Sequence, residues 1–388
     1  MQTTQAEAVA PVATPSLTTQ RLQRQAQHRR NVGLHRTDGV AVAGRVLDLA
    51  SNDYLGLSQH PEVRAAAAHA IHDYGTSARA SRLVTGTTST HLHLEQALCE
   101  LTGREAALVF SSGYTANLGV ITALTGPDTL IISDAHNHAS IIDGARLTKA
   151  AVQVVEHNSI AAVETALANR TQPEALVITE SIFSVLGDAA DVQTLAQLCA
   201  RYDAMLLIDE AHGVGVVNAG GGLASVIANY ADRIIITATL SKALGAQGGA
   251  VLGPALIRET LVNTARSYIF DTGLAPASAA AAQAAIDLIQ DNPSLLQRLV
   301  ENRLRLTEGL GISPAIGAVQ SVPMSSPQQA VAVRDALATQ GFAVGCFRPP
   351  SVPDGVSRLR ITARADLTID QVDWAVSVMT AELERSHG

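Results

Sequence analysis

Between residues 90 and 252, short apolar segments alternate with segments of helical period, and this alternation constrains the fold more than any other feature. The apolar segments are rich in Val, Ile and Leu, as expected of strands that are buried on both faces. Strands separated by helices form an α/β fold with a mostly parallel central sheet and helices on both faces. The predicted strands are residues 106–110, 129–132, 175–178, 205–208, 234–236 and 250–252, and the predicted helices are residues 91–101, 114–124, 160–168, 192–202 and 276–290.

The chain divides into four predicted segments. Residues 1–20, rich in Gln, Thr, Ala and Pro, are predicted to be a disordered tail, and residues 21–60 an N-terminal segment that begins with a helix over 21–30. Residues 61–290 form the large domain. After residue 290 the pattern changes to strands at 318–322, 344–347 and 359–361 with helices at 327–340 and 368–384, which predicts a smaller α+β domain over 291–388.

Composition excludes several classes of protein. A net charge of -8 argues against a general nucleic-acid binder, so a phosphorylated ligand would have to be held by local features. Cys99, Cys199 and Cys346 are far apart, which predicts reduced thiols rather than disulfides or a zinc site. No apolar run is long enough to span a membrane, and the N-terminus has no signal-peptide pattern. A cytoplasmic protein is therefore expected.

The chain has only two lysines, Lys149 and Lys242, because arginine supplies nearly all of its positive charge. Lys242 stands in Thr239-Leu-Ser-Lys242, shortly after the predicted strand 234–236. It could simply cap the strand end at the surface. Alternatively, it could do what arginine cannot, because an ammonium group can lose its proton when desolvated and form a Schiff base. Position alone does not decide between these two interpretations.

The residues that follow each predicted strand are the candidate site, because ligands of such sheets bind at the carboxyl ends of the strands. Ser112-Gly-Tyr-Thr-Ala-Asn117 opens a helix, whose free N–H groups and positive dipole suit a phosphate. His136 and His138 follow the strand 129–132; a metal pair is one interpretation, although no carboxylate motif accompanies them. Phe183-Ser184 follows the strand 175–178.

Asp209-Glu-Ala-His212 follows the strand 205–208 and has a rival interpretation. In helicases these four residues form the magnesium-binding motif of a P-loop ATPase. That function requires a Gly-x-x-x-x-Gly-Lys-Ser/Thr loop, and neither lysine of this chain stands in one. The ATPase hypothesis is therefore disfavoured.

A phosphate site, a carboxylate at a strand end, a histidine pair and a Schiff-base lysine suit one cofactor, pyridoxal 5′-phosphate (PLP). Its aldehyde bonds a lysine, its phosphate needs a helix terminus, and its ring nitrogen needs an acid partner. The chain resembles the α-oxoamine synthases, a family of fold-type I PLP enzymes, from about residue 30 to residue 380. The matching motifs are Ser51-Asn-Asp-Tyr-Leu-Gly-Leu57, Gly86-Thr-x3-His91-x2-Leu94-Glu95, Ser112-Gly-Tyr-x-Ala-Asn117, His138-Ala-Ser140, Phe183-Ser184, Asp209-Glu-Ala-His-Gly213, Thr239-Leu-Ser-Lys242 and Arg348-Pro-Pro-Ser-Val-Pro353.

The resemblance implies a role for individual residues. Lys242 would bind PLP covalently and later shuttle the α-proton, Asp209 would pair with the ring nitrogen, and His138 would stack on the ring. The other implied cofactor contacts are Gly113, Tyr114 and Thr239 at the phosphate, His212 and Ser184 at the 3-hydroxyl, and Thr272 of the partner subunit in a homodimer. The implied substrate residues are Arg360 for the amino-acid carboxylate, Asn52, Ser351 and His138 around the substrate, and Arg36 for the far carboxylate of the acyl chain; no metal is implied.

Three departures from the family pattern stand out. The glycine-rich run that precedes Ser-Arg in the family is Ala78-Arg-Ala-Ser81-Arg82 here, which puts close approach at that loop in question. The family's Met-Asp-Gly-Asp is Val185-Leu-Gly-Asp188, with one acid fewer. Ser241 precedes Lys242 where glycine is common, and its hydroxyl could add a phosphate contact.

Within the family, Arg348-Pro-Pro-Ser-Val-Pro353 most resembles members of the biotin pathway. The implied reaction is an acyl transfer: L-alanine condenses with a pimeloyl thioester of CoA or acyl carrier protein and carbon dioxide is lost. One alternative is another acyltransferase of the family, such as the enzyme that joins glycine and acetyl-CoA. Another is a catalytically silent homologue that binds PLP without turnover.

Overall fold

The computed structural model describes residues 15–36, 46–349, 351–352 and 354–387. Residues 1–14 of the predicted tail, and Pro350 and Pro353 of the proline motif, lie outside these ranges. Helix α1 (Leu17–Asn31) begins before the predicted start at residue 21, so residues 17–20 of the predicted tail are helical. The Ser16 hydroxyl caps it by accepting the Thr19 N–H. A short strand, β1 (Leu47–Asp48), follows.

The central sheet has seven strands, and most of them are parallel, as predicted. Its order is β2-β8-β7-β6-β5-β3-β4, and only β8 runs antiparallel to its two neighbours within this sheet. The strands are β2 (Ala106–Phe110), β3 (Thr129–Asp134), β4 (Ala151–Val155), β5 (Glu174–Glu180), β6 (Met205–Asp209), β7 (Ile234–Thr239) and β8 (Gly249–Gly253).

Nine helices of the described residues accompany this sheet. They are α2 (Pro61–Tyr74), α3 (Ser89–Thr102), α4 (Gly113–Leu124), α5 (Ala139–Leu147), α6 (Ile160–Ala168), α7 (Val192–Arg201), α8 (Ala255–Thr264), α9 (Arg266–Ile269) and α10 (Pro276–Asp291).

Alternate residues of each strand pack into two separate hydrophobic cores, one on each face of the sheet. On β7, Ile234 and Ile236 belong to the core formed with α3, α7 and α10, whereas Ile235 belongs to the core formed with α4, α5 and α9. All three side chains are fully buried. Burial on both faces explains why these strands are continuous apolar runs instead of alternating patterns.

The parallel strands β3, β5, β6 and β7 end at the same edge of the sheet. Their last residues are Asp134, Glu180, Asp209 and Thr239, all buried and all polar. Glu180 lies opposite Asp209 in the pairing of β5 with β6. This edge therefore gathers ionisable groups that an apolar core would exclude.

The C-terminal part of the chain forms a second, antiparallel sheet of order β11-β12-β9. The division of the chain at residue 291 stays a prediction. Strand β1 pairs in parallel with β10, so the N-terminal segment is attached to this C-terminal part. The elements are α11 (Ser294–Gly309), β9 (Val319–Pro323), α12 (Pro327–Thr339), β10 (Phe342–Ala343), β11 (Gly345–Phe347), β12 (Arg358–Thr362) and α13 (Ile369–His387).

Among the helices that the structure describes, none is both long enough and apolar enough to cross a membrane.

Candidate active site

A cavity of about 240 Å³ lies at the carboxyl edge of the central sheet. It is lined by the ends of β5, β6 and β7 and by the first turn of α4. The predicted residues that line it are Gly113, Tyr114, His138, Asp209, His212, Thr239 and Lys242. Residues from four separate sequence motifs therefore meet in one place.

Lys242 follows the end of β7 and is half-buried in the cavity wall. Burial lowers the pKa of its ammonium group, and the positive charge of Arg360 adds to this effect. The negative charges of Asp209 and Glu180 act in the opposite direction. A lysine in this environment gives up its proton more readily than a solvated one, which is what a nucleophilic or basic amine requires. The alternative of a surface lysine that caps the strand does not fit this position.

Asp209 ends β6, and two hydrogen bonds hold its carboxylate. Its Oδ2 accepts from Asn117 Nδ2 at 2.7 Å, and its Oδ1 accepts from the Ala211 N–H at 2.9 Å. The side chain is 6% exposed. Both oxygens of the Asp209 carboxylate are therefore held by donors.

Asn117 ties this carboxylate to His138. The same amide nitrogen donates to Ser140 Oγ at 2.9 Å, and Ser140 Oγ lies 2.8 Å from His138 Nδ1. Because His138 Nδ1 also accepts the Ser140 N–H, this ring nitrogen carries no proton. Burial lowers the pKa of His138, so its imidazole is neutral. His138 thus presents an uncharged, oriented ring to the cavity.

The start of α4 has the features of an anion-binding site, and we call it the anion cradle. The Gly113 and Tyr114 N–H groups lie in its first turn, where backbone donors have no partner within the helix. A side chain on Gly249 would put its Cβ 2.4 Å from Gly113 N, so only glycine allows β8 to approach this turn so closely. The Thr239 hydroxyl lies 2.7 Å from that of Ser241. Backbone and hydroxyl donors around a helix N-terminus suit a phosphate.

His212 lines the same cavity, and its Nδ1 lies 2.6 Å from the Tyr54 hydroxyl. Burial, with the charges of Lys242 and Arg360, holds its pKa well below the usual range, so His212 is neutral. Tyr54 also donates to Asn52 Oδ1 at 3.2 Å. A chain of hydrogen-bonding groups therefore leads from the cavity to the N-terminal segment.

Arg360 is the most unusual cation of the site. It is 6% exposed, and its guanidinium donates to Asn52 Oδ1 at 2.8 Å and to Ser184 O at 3.0 Å. The Phe347 ring lies 4.7 Å away. These partners are all uncharged, and no carboxylate of the described residues forms an ion pair with Arg360. Its Nε has no hydrogen-bond partner within the same residues.

Arg358, two residues earlier on β12, differs from Arg360 in having an anionic partner. Its guanidinium forms an ion pair with Asp354, so its charge is already neutralised. Alternation along the strand puts both arginines on the same face, yet only Arg360 is left with an unneutralised charge.

The remaining predicted residues lie outside the cavity lining. Ser184 contributes its carbonyl oxygen to Arg360, and Asn52 its side-chain oxygen. Arg36 Nη2 donates to Ser351 Oγ at 2.7 Å, which brings these two predicted substrate residues together. Thr272 is exposed on the surface of its own chain.

Three residues near the site were not predicted to have roles in it. Asn117 and Tyr54 are named in the motifs, but their hydrogen bonds to Asp209 and His212 depend on tertiary contacts. Glu180 lines the cavity, and burial together with the charge of Asp209 raises its pKa well above the usual range. His136, by contrast, stacks on His157, and no group of three or more His, Cys, Asp or Glu side chains in the described ranges is arranged to hold a metal ion.

The loop that departs from the family's glycine-rich run keeps a close-packed conformation. Arg79 adopts a φ of 65°, in the left-handed region that favours glycine. Arg82 is buried and donates to Glu95 Oε1 at 2.9 Å. The loop therefore retains a glycine-like backbone although it lacks the glycine.

Comparison with known proteins agrees with this geometry. The family model for class I and II aminotransferases matches residues 44–379. An 8-amino-7-oxononanoate synthase from Mycobacterium sp. (strain JLS) is 49% identical over 359 residues, which cover 91% of this chain and 94% of that protein. The chain therefore belongs to the class I and II aminotransferase family, whose members with this fold are the fold-type I PLP enzymes.

Two solved structures place it more narrowly. A serine palmitoyltransferase from S. paucimobilis with bound PLP–myriocin superposes with a TM-score of 0.88 at 29% identity, over 96% of this chain and 100% of that chain. The crystal structure of 8-amino-7-oxononanoate synthase from Francisella tularensis gives a TM-score of 0.74 at 26% identity, over 88% and 99% of the two chains. The chain is an α-oxoamine synthase, and its cofactor is PLP, as the sequence motifs predicted.

The residues of the cavity fit this cofactor. The anion cradle of α4 suits the phosphate, and the Asp209 carboxylate suits a protonated ring nitrogen. Lys242 supplies an amine with a lowered pKa, and the Glu180 Oε1 atom is buried without a hydrogen-bond partner in the described residues. Buried polar atoms of this kind are normally satisfied by a ligand or an ordered group.

Proposed function

We propose that this chain condenses L-alanine with a pimeloyl thioester to form 8-amino-7-oxononanoate, a step of biotin biosynthesis. The thiol of CoA or acyl carrier protein and carbon dioxide leave, so the atoms balance. The relative at 49% identity and the predicted residues that line the cavity support this acyltransferase activity.

The observation that carries the proposal is the unneutralised charge of Arg360. A buried guanidinium without an anionic partner costs free energy unless a ligand supplies one. Its planar donors match a carboxylate in a bidentate geometry. An amino-acid substrate brings such a carboxylate, and the Arg360 side chain lies close enough to Lys242 to lower its pKa.

Bound PLP supplies an electron sink that stabilises a carbanion at the α-carbon of the amino acid. Lys242 Nζ would hold the cofactor, Asp209 would keep its ring nitrogen protonated, and Gly113 and Tyr114 would bind its phosphate. Lys242 Nζ, once free, takes the α-proton of alanine. Arg360 holds the alanine carboxylate and thereby orients the α-hydrogen toward that amine.

The far end of the acyl chain would bind near Arg36. This arginine lines a cleft of about 720 Å³, which also contains Arg334, Arg348 and His35. Asp335 is the one acidic side chain among the described residues that line the cleft. In a chain of net charge -8 this is a local positive region, which supports the binding of a carboxylate there.

A test of this assignment compares two acyl thioesters of equal length, one with a terminal carboxylate and one without it. Arg36→Gln should lower kcat/KM for the dicarboxylic substrate by about tenfold, the equivalent of 1.4 kcal/mol. The monocarboxylic substrate should be unaffected. An equal loss for both would place the far carboxylate elsewhere.

The active form is proposed to be a homodimer whose sites are shared between subunits. Thr272 is exposed and does not contribute to the cavity of its own chain, which supports a phosphate contact in the other subunit. Lys242→Ala and Thr272→Ala each damage a different half of such a site. Mixed dimers of the two variants should regain part of the activity, and verified hybrids without any recovery would argue against a shared site.

The cytoplasm is the proposed location, which the three unpaired cysteines support.

The decisive experiment for the reaction crosses L-alanine, glycine and L-serine with short and dicarboxylic acyl thioesters. Product from alanine and pimeloyl thioester is expected to dominate. Preference for glycine with acetyl-CoA would support the rival acyltransferase, and PLP binding without any product would support a silent homologue.

A further inference from the structure

His157 lies outside the cavity, in the turn that follows β4, and it bridges two carboxylates. Its Nδ1 is 2.8 Å from Asp134 Oδ1, and its Nε2 is 2.7 Å from Asp188 Oδ2. The side chain is 17% exposed. Because carboxylates only accept hydrogen bonds, both ring nitrogens must carry protons to satisfy both partners.

Each carboxylate belongs to a different loop of the site. Asp134 ends β3 and begins the loop that carries His138; its Oδ1 also accepts the His136 N–H at 2.7 Å. The His136 ring stacks on His157 with ring centroids 3.7 Å apart. Asp188 belongs to the turn that carries Ser184.

The turn 183–188 is compact. The Phe183 N–H donates to Asp188 O, and the Gly187 N–H donates to Phe183 O, both at 2.9 Å. The Phe183 ring packs edge-on against His157, with centroids 4.4 Å apart. Within this turn Ser184 presents its carbonyl oxygen to Arg360 at 3.0 Å. A shift of the Asp188 side of the turn would therefore move one of the two acceptors that hold Arg360.

We infer that His157 is a positioning residue: it holds the Ser184 turn against the His138 loop and so fixes Arg360 for the substrate carboxylate. Asn158 reinforces the same joint, because its Nδ2 donates to Asp188 Oδ2 at 2.7 Å and its N–H donates to Asp134 Oδ2 at 2.8 Å. The inference rests on the proposed role of Arg360.

The surroundings of His157 favour its protonated, positively charged form. Hydrogen bonds to Asp134 and Asp188 and the charges of these carboxylates raise its pKa to about 9, against the opposing effect of burial. The stacked His136 has a lowered pKa because of burial and the charge of His157, so it stays neutral. The negative charge of Asp354 acts in the opposite direction and raises the pKa of His136. The double hydrogen bond is therefore intact at neutral pH and is lost as the pH rises through about 9.

The test measures the Kd of two ligands from the absorbance of the PLP-bound enzyme. L-alanine has the carboxylate that Arg360 would hold, and L-alaninamide lacks it. His157→Gln, which cannot donate to both carboxylates in this geometry, should raise the Kd of alanine about tenfold and change that of alaninamide less than about twofold. Asp188→Ala removes the oxygen that accepts from His157 Nε2, so it should have the same effect, and it serves as the test if His157→Gln does not fold.

Two further measurements sharpen the result. The difference in alanine Kd between wild type and His157→Gln should disappear above about pH 9. There wild-type His157 loses a ring proton and with it one of its two hydrogen bonds to carboxylates. The exposed His72, which lies 3.0 Å from Asp73, provides a matched control, and His72→Gln should change neither ligand.

The outcomes separate this inference from the proposed function. Arg360→Lys should weaken alanine selectively; if it does not, the carboxylate site is wrong. If Arg360→Lys does so while His157→Gln and Asp188→Ala leave alanine Kd within twofold, His157 does not position Arg360. Equal weakening of alanine and alaninamide by His157→Gln would show a merely structural role and would also overturn the inference.

Discussion

The cofactor cavity and the Arg360 site are built in different ways. The cavity is formed by residues that each follow a strand of one sheet, so every group is fixed by its own strand end. The Arg360 site joins the C-terminal sheet to the N-terminal segment and to the β5 turn, through contacts between residues 308 and 176 positions apart. The cavity thus draws on residues 112–242, whereas the Arg360 site spans residues 52–360.

This difference separates the expected consequences of mutation. Changes in the cavity should reduce kcat, because these residues act on the reacting atoms. Changes around Arg360 should act mainly on the affinity for the amino acid, because that site holds a carboxylate that does not react until later.

The largest effect is expected for Lys242→Ala. It removes the amine that is proposed to hold PLP and to take the α-proton, and loss of a general base alone costs roughly 10²–10⁴-fold in rate. Borohydride reduction of the wild-type enzyme followed by peptide mass mapping should locate the adduct on Lys242. An adduct on Lys149 would refute the assignment of the cavity.

A smaller loss of kcat is expected for Asp209→Asn. Hydrogen bonds to charged groups contribute about 1.5–3 kcal/mol, so turnover should fall roughly 10- to 100-fold while the protein stays folded. Steady-state kinetics and circular dichroism check the two parts of this prediction. Near-normal turnover in a PLP-loaded variant would show that Asp209 does not act on the ring nitrogen.

Arg360→Lys should act on the other region. Lysine keeps the positive charge but not the bidentate geometry, so the KM for alanine should rise about tenfold, with slower α-proton removal. Arg358→Lys is the matched control, since Arg358 already pairs with Asp354 and should change the KM by less than about twofold. Equal, mild effects of the two substitutions would move the carboxylate site elsewhere.

The smallest effect on turnover is expected for Glu210→Gln, beside Asp209 but outside the cavity lining. Glu210 accepts from Ser181 Oγ and from the Ala224 N–H, both at 2.6 Å, and burial raises its pKa from 4.5 to about 7. Between these two values the unfolded chain releases this proton while the folded protein keeps it, so the contribution of Glu210 to stability is lost as the pH rises through about 7.

Glutamine has no such titration. The stability of Glu210→Gln relative to wild type should therefore increase by roughly 3 kcal/mol between about pH 4 and about pH 8. Denaturant titrations at the two pH values measure this difference. A pH-independent difference would mean that Glu210 does not titrate in the folded protein.

The sequence predicted the central sheet and its cavity because both depend on local patterns. The strands are unbroken apolar runs, and Asp209 and Lys242 stand directly after them. It did not predict β4, α5, α8, α9 or α11. Residues 151–154, four of the five residues of β4, are exposed at the edge of the sheet, so β4 is not a buried apolar run like the inner strands.

The contacts that orient the site could not be predicted in the same way. Tyr54 meets His212 across 158 positions, and His157 meets Asp188 across 31, only after the chain has folded. A motif names such residues without telling which atoms they contact. The antiparallel direction of β8 likewise depends on its neighbours in the sheet and not on its own sequence.

The pairing of β1 with β10 and the bond from Arg360 to Asn52 have a consequence for protein synthesis. The ribosome makes residues 106–253, which hold the whole central sheet, well before it reaches Arg360. At roughly 5–20 residues per second, Asn52 leaves the ribosome roughly 15–60 s before its partner. The nascent chain can therefore complete its cofactor cavity before Asn52 can meet Arg360.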